Sequence, residues 1–498
     1  MSIKSSASLW LGKRIRKSLL NENEHAQVLQ NEVLKNLLHS ASNTAFGADH
    51  KFKSISNHDE WTQAVPVRDY EELVPYMERA KAGELSVLWP GIPKYFCKTS
   101  GTTSGTKFIP LTQASLPNHI GSARNALLNY IGETGQSKFV DGKMIFLQGS
   151  PELSRLESGI PYGRLSGIVA NHVPAYLQKN RLPSYATNCI EDWETKINRI
   201  VEETCMQDMR LISGIPSWVQ MYFELLLEKT GKQTIKEIFP NFELFVFGGV
   251  NFAPYKSRFA ELIGEEIPTI ELYPASEGFL AYQDSQEAEG LRLNINSGIY
   301  FEFIKAEEYF TENPKRYALH EVELGVNYAL TLSNNAGLWG YSIGDTVKFV
   351  SLYPYRILVT GRIKHFTSAF GEHVIGEEVD RAMSNALSQL SFSVNEFHVA
   401  PQVQPTEGLP YHEWIIEFNG EVPDLNALQT LLDNKMQEQN VYYKDLIVGS
   451  VLQKLKITPV KNGAFNAYMK SQGKLGGQNK IPRLANDRKL ADAVLQHK

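Results

Sequence analysis

The chain has 498 residues, of which 42% are hydrophobic and 21% charged, an ordinary globular composition with material for two to four domains. Its net charge is −5, so no global basic field exists to hold nucleic acid, and any phosphate recognition must be local. The three cysteines, Cys97, Cys189 and Cys205, form neither a disulfide framework nor a metal-ligand spacing, which points to a reducing, cytoplasmic setting.

The opening stretch is basic, but its longest uninterrupted apolar run is "LWL", too short for a signal-peptide core. Leu9, Ile15 and Leu19 beside Lys13, Arg14, Arg16 and Lys17 read as an amphipathic helix docked on the body, with a membrane-surface helix as the alternative. No run approaches membrane-spanning length, so integral membrane association is not expected. Residues 24–41 place Leu29, Val33 and Leu37 on one helical face. "VRDYEELVPYMERAKAGE" continues helically, with Pro75 tolerated only near a first turn or at a kink.

"CKTSGTTSGTKFIPLT", residues 97–112, follows. Two glycines and six Ser/Thr residues lie between β-leaning segments, either a polar hairpin turn or a phosphate cradle of backbone N–H groups, hydroxyls and Lys107. It is no P-loop: Gly101 and Gly105 are too close, Thr106 separates Gly105 from Lys107, and a strand rather than a helix follows. A helix is expected from about Ser115 to Tyr130, with Thr112 as a cap and Leu116, Ile120, Ala123 and Leu127 as its core stripe. Arg124, beside that stripe, reads as a surface residue; the alternative is a carboxylate clamp.

From 140 to 275, "KMIFLQ", "DMRLISGI", "FELFVFGG" and "PTIELY" alternate with helical segments at 191–205, 217–228 and 254–262, the pattern of a largely parallel α/β layer. After 290 the runs "RLNIN", "IYFEFI", "NYALTLS", "DTVKFV" and "YRILVTGR" crowd together, implying antiparallel strands. Beyond residues 362–366 come an amphipathic helix, strands near "EFHVA" and "EWIIEF", a helix near 425–438 and a basic tail. The expected architecture is a large N-terminal α/β domain with a β-barrel-like section (1–362) and a small α+β domain (366–498) on a hinge.

Taken in order, "AFGADHKF", "LWPG", "TSGTTSGTKFIPLT", "SGIPSW", "FGGVNFAP", "LYPASEGF", "YSIGDTVKF", "GRIKHF" and "GGQNKIPR" resemble the auxin-responsive acyl-acid amido synthetases, plant hormone-conjugating enzymes with bacterial relatives. These lie within the acyl-adenylate-forming superfamily that includes firefly luciferase, and the resemblance covers nearly the whole chain. It implies an ATP-dependent ligase that activates a small carboxylic acid as an acyl-adenylate and transfers it to an amine, in particular that of an amino acid. Thioester formation with coenzyme A, or nucleotide binding without catalysis, are the alternatives.

By the same resemblance, Ser100, Thr102, Thr103 and Ser104 bond the ATP phosphates, with Gly101 and Gly105 permitting close approach. Gly248, Gly249 and Val250 line the adenine plane, and Tyr273 stacks on it. Ser276 belongs to the same motif, and Glu277 holds Mg²⁺, a cation that takes one or two carboxylates plus substrate phosphates. Asp345 accepts the ribose hydroxyls, and Arg362 contacts ribose or phosphate. Lys480 is the catalytic lysine. Three departures from the pattern stand out: Thr99 for a serine, Pro274-Ala275 within the Tyr273 motif, and Ser342 for the customary arginine.

Overall fold

The computed structural model describes residues 2–100, 106–173, 178–363, 370, 372, 374–476 and 479–497. The basic start is helical from Ile3–Glu24, with Ser2 accepting the Ser5 N–H as its cap. It lies against the helix Leu116–Thr134, and two glycines set the distance. A Cβ added at Gly12 would sit 2.6 Å from the Leu128 carbonyl oxygen, and one at Gly132 would sit 2.4 Å from that of Gly12. Side chains at either position would force the helices apart.

The helix Ala26–Ala41 buries Val33, Leu34, Leu37 and Leu38. Tyr70–Lys81 begins with a capping box: Asp69 accepts from Glu71 and Glu72, and the Glu72 carboxylate accepts the Asp69 N–H. Pro75 falls in its second turn, past the first-turn position.

Within Leu116–Thr134 the buried face differs from the apolar stripe read from sequence. Leu116 is buried, but Ile120, Ala123 and Leu127 are only half-buried, while Asn118, His119, Ser122 and Asn129 are inside. The helix is covered by the N-terminal helix on one side and by strands Thr269–Ala275 and Gly278–Tyr282 on another, which widens the buried arc. Its asparagines are admitted because they are bonded: Asn118 takes the Phe279 N–H at 2.7 Å, and Asn129 donates to Asp284 O at 2.7 Å. Thr112 does not cap the helix directly. It exchanges hydrogen bonds with Ser115, each hydroxyl accepting the other's N–H at 3.0 Å.

The expected strand–helix alternation is present, with helices Trp193–Thr204, Pro216–Thr230 and Lys256–Ile263 between the strands. Strands Arg181–Leu182, Lys143–Phe146, Met209–Ser213, Leu244–Gly248 and Thr269–Ala275 run parallel in that spatial order. The sheet then continues antiparallel through Gly278–Tyr282, Leu291–Leu293, Tyr355–Arg362, Tyr341–Leu352, Asn327–Asn334, Ile299–Lys305 and Tyr317–Ala318. The barrel-like section expected after residue 290 is therefore the antiparallel half of one twelve-stranded mixed sheet. A second sheet of four strands contains the hairpin Tyr95–Ser100 and Thr106–Leu111.

By its contacts the chain forms two compact units. The first comprises residues 1–214, 238–249 and 267–358; the second comprises 215–237, 250–266 and 359–498. The second thus holds the helices Pro216–Thr230 and Lys256–Ile263 together with the C-terminal residues. There a three-stranded sheet, Ser393–Gln402, Tyr411–Asn419 and Lys456–Val460, packs with the helices Gly376–Gln389 and Leu425–Gln439. Residues 364–366 of the expected hinge at 362–366 lie outside the described residues. Among the described residues no helix is long and apolar enough to cross a membrane.

Candidate active site

The first unit gathers the middle motifs at one edge of its sheet. Strand Thr269–Ala275 turns back through Ser276 and Glu277 into Gly278–Tyr282, with Gly278 opposite Ala275. The neighbouring strand Leu244–Gly248 ends beside it, Gly248 opposite Leu272. A Cβ at Gly248 would meet the Leu272 carbonyl oxygen at 2.4 Å, so this glycine permits the close approach of two strands. Gly249 has φ +86°, a left-handed turn that redirects the chain off the strand end.

Tyr273 is 8% exposed, and its hydroxyl donates to Asp345 Oδ2 at 2.6 Å. Asp345 is half-buried on Tyr341–Leu352, directly after Gly344 at φ +82°. Nothing lies near a Cβ built on Gly344, so the glycine serves the backbone turn and not a tight fit. The motifs "LYPASEGF" and "YSIGDTVKF" are thus joined by a charge-assisted hydrogen bond.

Glu277 is half-buried in the turn, its backbone carbonyl accepting from Asn334 Nδ2 at 2.6 Å. Tyr341 OH lies 3.5 Å from Glu277 Oε1. Burial first, and then the Glu277 carboxylate, raise the Tyr341 phenol far above its ordinary range, so it remains a donor at any working pH. Buried Cys97 feels the same two influences in the same order and stays a neutral thiol, with Ser276 hydrogen-bonded to it. Asn334, Tyr341 and Cys97 were not singled out from sequence as site residues. Tyr341 opens "YSIGD" and Cys97 opens "CKTSGTTSG", local signals that Asn334 lacks.

The loop Gly101, Thr102, Thr103, Ser104 and Gly105 lies outside the described residues. Its flanks are in register, Ser100 opposite Thr106 and Thr99 opposite Lys107, so the hydroxyl run joins the two strands of a hairpin. Lys107 Nζ lies 5.4 Å from the centre of the Tyr70 ring. Ser342, where the family pattern has arginine, is buried and accepts the Tyr309 hydroxyl at 2.7 Å. Arg124 is exposed, its guanidinium 3.2 Å from Asn125 Oδ1, as expected of a surface residue.

Val250, Arg362 and Lys480 belong to the second unit. Arg362 ends the strand Tyr355–Arg362 with an exposed side chain. Lys480 is also exposed, and the chain directly after it is fastened to strand Ser393–Gln402. Ile481 is buried, and His398 Nδ1 donates to Pro482 O at 2.7 Å. The Val399 N–H bonds Arg483 O at 2.8 Å, and the Ala485 N–H bonds Val399 O at 3.0 Å. The Arg483 guanidinium reaches Asp380 at 2.9 Å, Tyr255 OH at 3.1 Å and Glu396. An exposed side chain is thereby presented from a fixed base.

Three family models match along the chain: the GH3 family N-terminal domain over residues 15–194 and 165–268, the central domain over 293–362, and the C-terminal domain over 377–489. The chain is 26% identical to the indole-3-acetic acid-amido synthetase GH3.3 of Arabidopsis thaliana over 195 residues, 37% of this chain and 33% of that enzyme. It is 22% identical to the Jasmonoyl-L-amino acid synthetase JAR4 of Nicotiana attenuata over 392 residues, 64% of this chain and 66% of the other. The matches therefore span from a third to about two thirds of the length of these relatives.

Among solved structures, the GH3.15 acyl acid amido synthetase superposes with TM-score 0.78 at 16% identity, covering 96% of this chain and 95% of that one. A 2-hydroxyisobutyryl-CoA ligase in the postadenylation state superposes with TM-score 0.62 at 14% identity, covering 94% and 90%. These likenesses establish the fold, that of an acyl acid amido synthetase. With N-terminal, central and C-terminal models matched in chain order, the chain belongs to the GH3 family.

Proposed function

We propose that this protein is an ATP-dependent acyl acid amido synthetase. The carboxylate oxygen of a small organic acid attacks the α-phosphorus of ATP and pyrophosphate leaves. The amine of an amino acid then attacks the acyl-adenylate carbonyl, AMP leaves, and the nitrogen loses a proton as the amide forms. Adenylation is needed because a carboxylate is inert to amines at neutral pH, whereas AMP is a good leaving group.

The observation that carries the reading is the 2.6 Å hydrogen bond from Tyr273 to Asp345 beside the turn that holds Glu277. It sets an aromatic face for adenine and a carboxylate for the ribose hydroxyls side by side at the carboxyl end of a parallel strand, where open α/β sheets bind nucleotides. Gly248, Gly249 and Val250 are assigned to the adenine plane, and Ser276 to the turn beneath it. Ser100, the 101–105 loop and Lys107 are assigned to the phosphates, and Arg362 to ribose or phosphate.

Glu277 is the residue that would hold Mg²⁺, which supplies positive charge against the phosphates. A single half-buried carboxylate fits that cation, which fills its remaining positions with phosphate oxygens and water. Lys480, exposed on its anchored loop, neutralises charge between the carboxylate and the α-phosphate. Residues 366–498 act as a small domain that turns about 362–366 between the two half-reactions. The unpaired cysteines support a reducing cytoplasm.

The test is pyrophosphate release from ATP against a panel of aromatic and aliphatic acids, followed by AMP release with amino acids or with coenzyme A. Acid-dependent pyrophosphate release and amino-acid-dependent AMP release are expected, with Glu277→Ala weakening both the Mg²⁺ dependence and adenylation. Coenzyme A as the sole productive acceptor, or no acid-dependent pyrophosphate release, refutes the reading.

A further inference from the structure

One guanidinium holds the loop that carries Lys480. Arg483 lies three residues further along, with buried Ile481 and Pro482 between, and its side chain is 11% exposed. All three of its nitrogens are bonded, each to a different element. Nε donates to Asp380 Oδ1 at 2.9 Å, on the helix Gly376–Gln389. Nη1 donates to Glu396 and, at 3.3 Å, to Phe397 O, both on strand Ser393–Gln402. Nη2 donates to Tyr255 OH at 3.1 Å, directly before the helix Lys256–Ile263. The guanidinium carbon also lies 4.2 Å from the centre of the Phe397 ring.

Two carboxylates, Asp380 and Glu396, thus share one arginine in a place largely closed to water. Charges so withdrawn are tolerated only when paired and hydrogen-bonded, and a planar fork meets three partners in one orientation. That orientation fixes backbone as well, since Arg483 O takes the Val399 N–H and the Ala485 N–H bonds Val399 O. Three residues of chain reach roughly 10 Å at most, and Pro482 has a locked φ. Lys480 therefore stands on a short lever whose far end is clamped.

The clamp also takes in the chain that follows Val250, a residue assigned above to the adenine plane. Asn251 donates to Asp380, and Tyr255, 2% exposed, accepts from Arg483 across 228 residues of sequence. The lysine loop and the segment leaving the adenine turn are tied to the same cluster.

We propose that Arg483 is a positioning residue for adenylation, setting where Lys480 stands through its bonds to Asp380, Glu396 and Tyr255. The inference rests on the role given to Lys480 in the amido synthetase reading above. Arg483 itself meets no reacting atom and acts through the lysine.

Two variants disturb the clamp without emptying it. Tyr255→Phe deletes one acceptor and keeps the buried ring. Arg483→Lys keeps a cation between the two carboxylates and loses the fork. Pyrophosphate exchange should slow about tenfold in the first and about 10–100-fold in the second. The loss should fall in kcat, with KM for ATP within about twofold of wild type, because Lys480 opposes charge that builds up during the attack. Aminolysis of a supplied acyl-adenylate should stay within about threefold of wild type.

A second background separates positioning from structure. In Lys480→Ala neither change should slow adenylation further, since nothing is left to position. Equal losses with and without Lys480, equal losses in both half-reactions, or exchange at the wild-type rate in both variants overturns the proposal.

Amide hydrogen exchange reads the clamp without any substrate. The Val399 and Ala485 amides should exchange faster in Arg483→Lys than in wild type, and unchanged protection overturns the clamp whatever the enzyme catalyses. Faster exchange in a protein that shows no acid-dependent pyrophosphate release refutes the amido synthetase reading and leaves Arg483 as the holder of the Lys480 loop.

Discussion

Replacing Tyr273 by phenylalanine isolates one hydrogen bond at the proposed nucleotide site. The ring is 8% exposed and would keep its packing, so a stacking surface survives; what disappears is the donor 2.6 Å from Asp345 Oδ2. Hydrogen bonds to charged groups contribute about 1.5–3 kcal/mol, and Asp345 is only half-buried, so water partly replaces the lost donor. The lower end, about 1.5 kcal/mol, corresponds to roughly a tenfold rise in KM for ATP. The hydroxyl orients a carboxylate that grips ribose equally in ground and transition states, so kcat should change little. Pyrophosphate exchange over a range of ATP concentrations at saturating acid measures both parameters. Repeating the change in an Asp345→Asn background completes a double-mutant cycle, and residues in direct contact should be coupled by about 0.5–3 kcal/mol. A KM for ATP within twofold of wild type, or strictly additive single effects, would refute the argument that the pair acts together on the nucleotide.

Lys480→Ala should slow acyl-adenylate formation by about 10²–10³-fold, with aminolysis of a supplied acyl-adenylate much less affected. Because Lys480 is exposed, its unfolding free energy should shift by less than ~0.5 kcal/mol; near-normal adenylation, or equal loss in both half-reactions, excludes the role. His119 provides a pH prediction: burial lowers its pKa to about 4, and its Nδ1 has no hydrogen-bond partner in the structure. Between pH 6.5 and 4 the unfolded chain therefore takes up a proton that the folded chain resists, and stability falls by up to ~3 kcal/mol as pH drops through that window, with no loss above it. Denaturant unfolding of wild type and His119→Leu at pH 7 and 4.5 should show a shallower pH dependence in the variant; parallel curves would reject the assignment.

Local chemistry made some elements easy to read and hid others. The runs at 143–146, 209–213, 244–248 and 269–275 are short, apolar and separated by helices, and each is a parallel strand. What the runs after 290 pair with is another matter. Leu291–Leu293 joins both Gly278–Tyr282 and Tyr355–Arg362, and that bridge makes the antiparallel strands part of the same sheet. Pairing across some sixty residues leaves no periodicity to detect. The helix after the hydroxyl-rich loop misled for a different reason. An apolar stripe finds a buried face only when apolar contact is what buries it, and here Asn118 and Asn129 are inside because strand and loop backbone groups satisfy them.

The same distinction divides the candidate site. Tyr273 and Asp345 each sit in a motif, but 72 residues separate them, and their 2.6 Å contact exists only once the sheet sets two distant strands in register. Asn334 and Cys97 reach the Glu277 turn from other strands, and although Cys97 opens the hydroxyl-rich stretch, nothing in the sequence marks either contact. Motif reading finds the residues that a family shares, whereas the contact between two motifs is a relation among strands that the sheet brings together, and it becomes visible only in three dimensions.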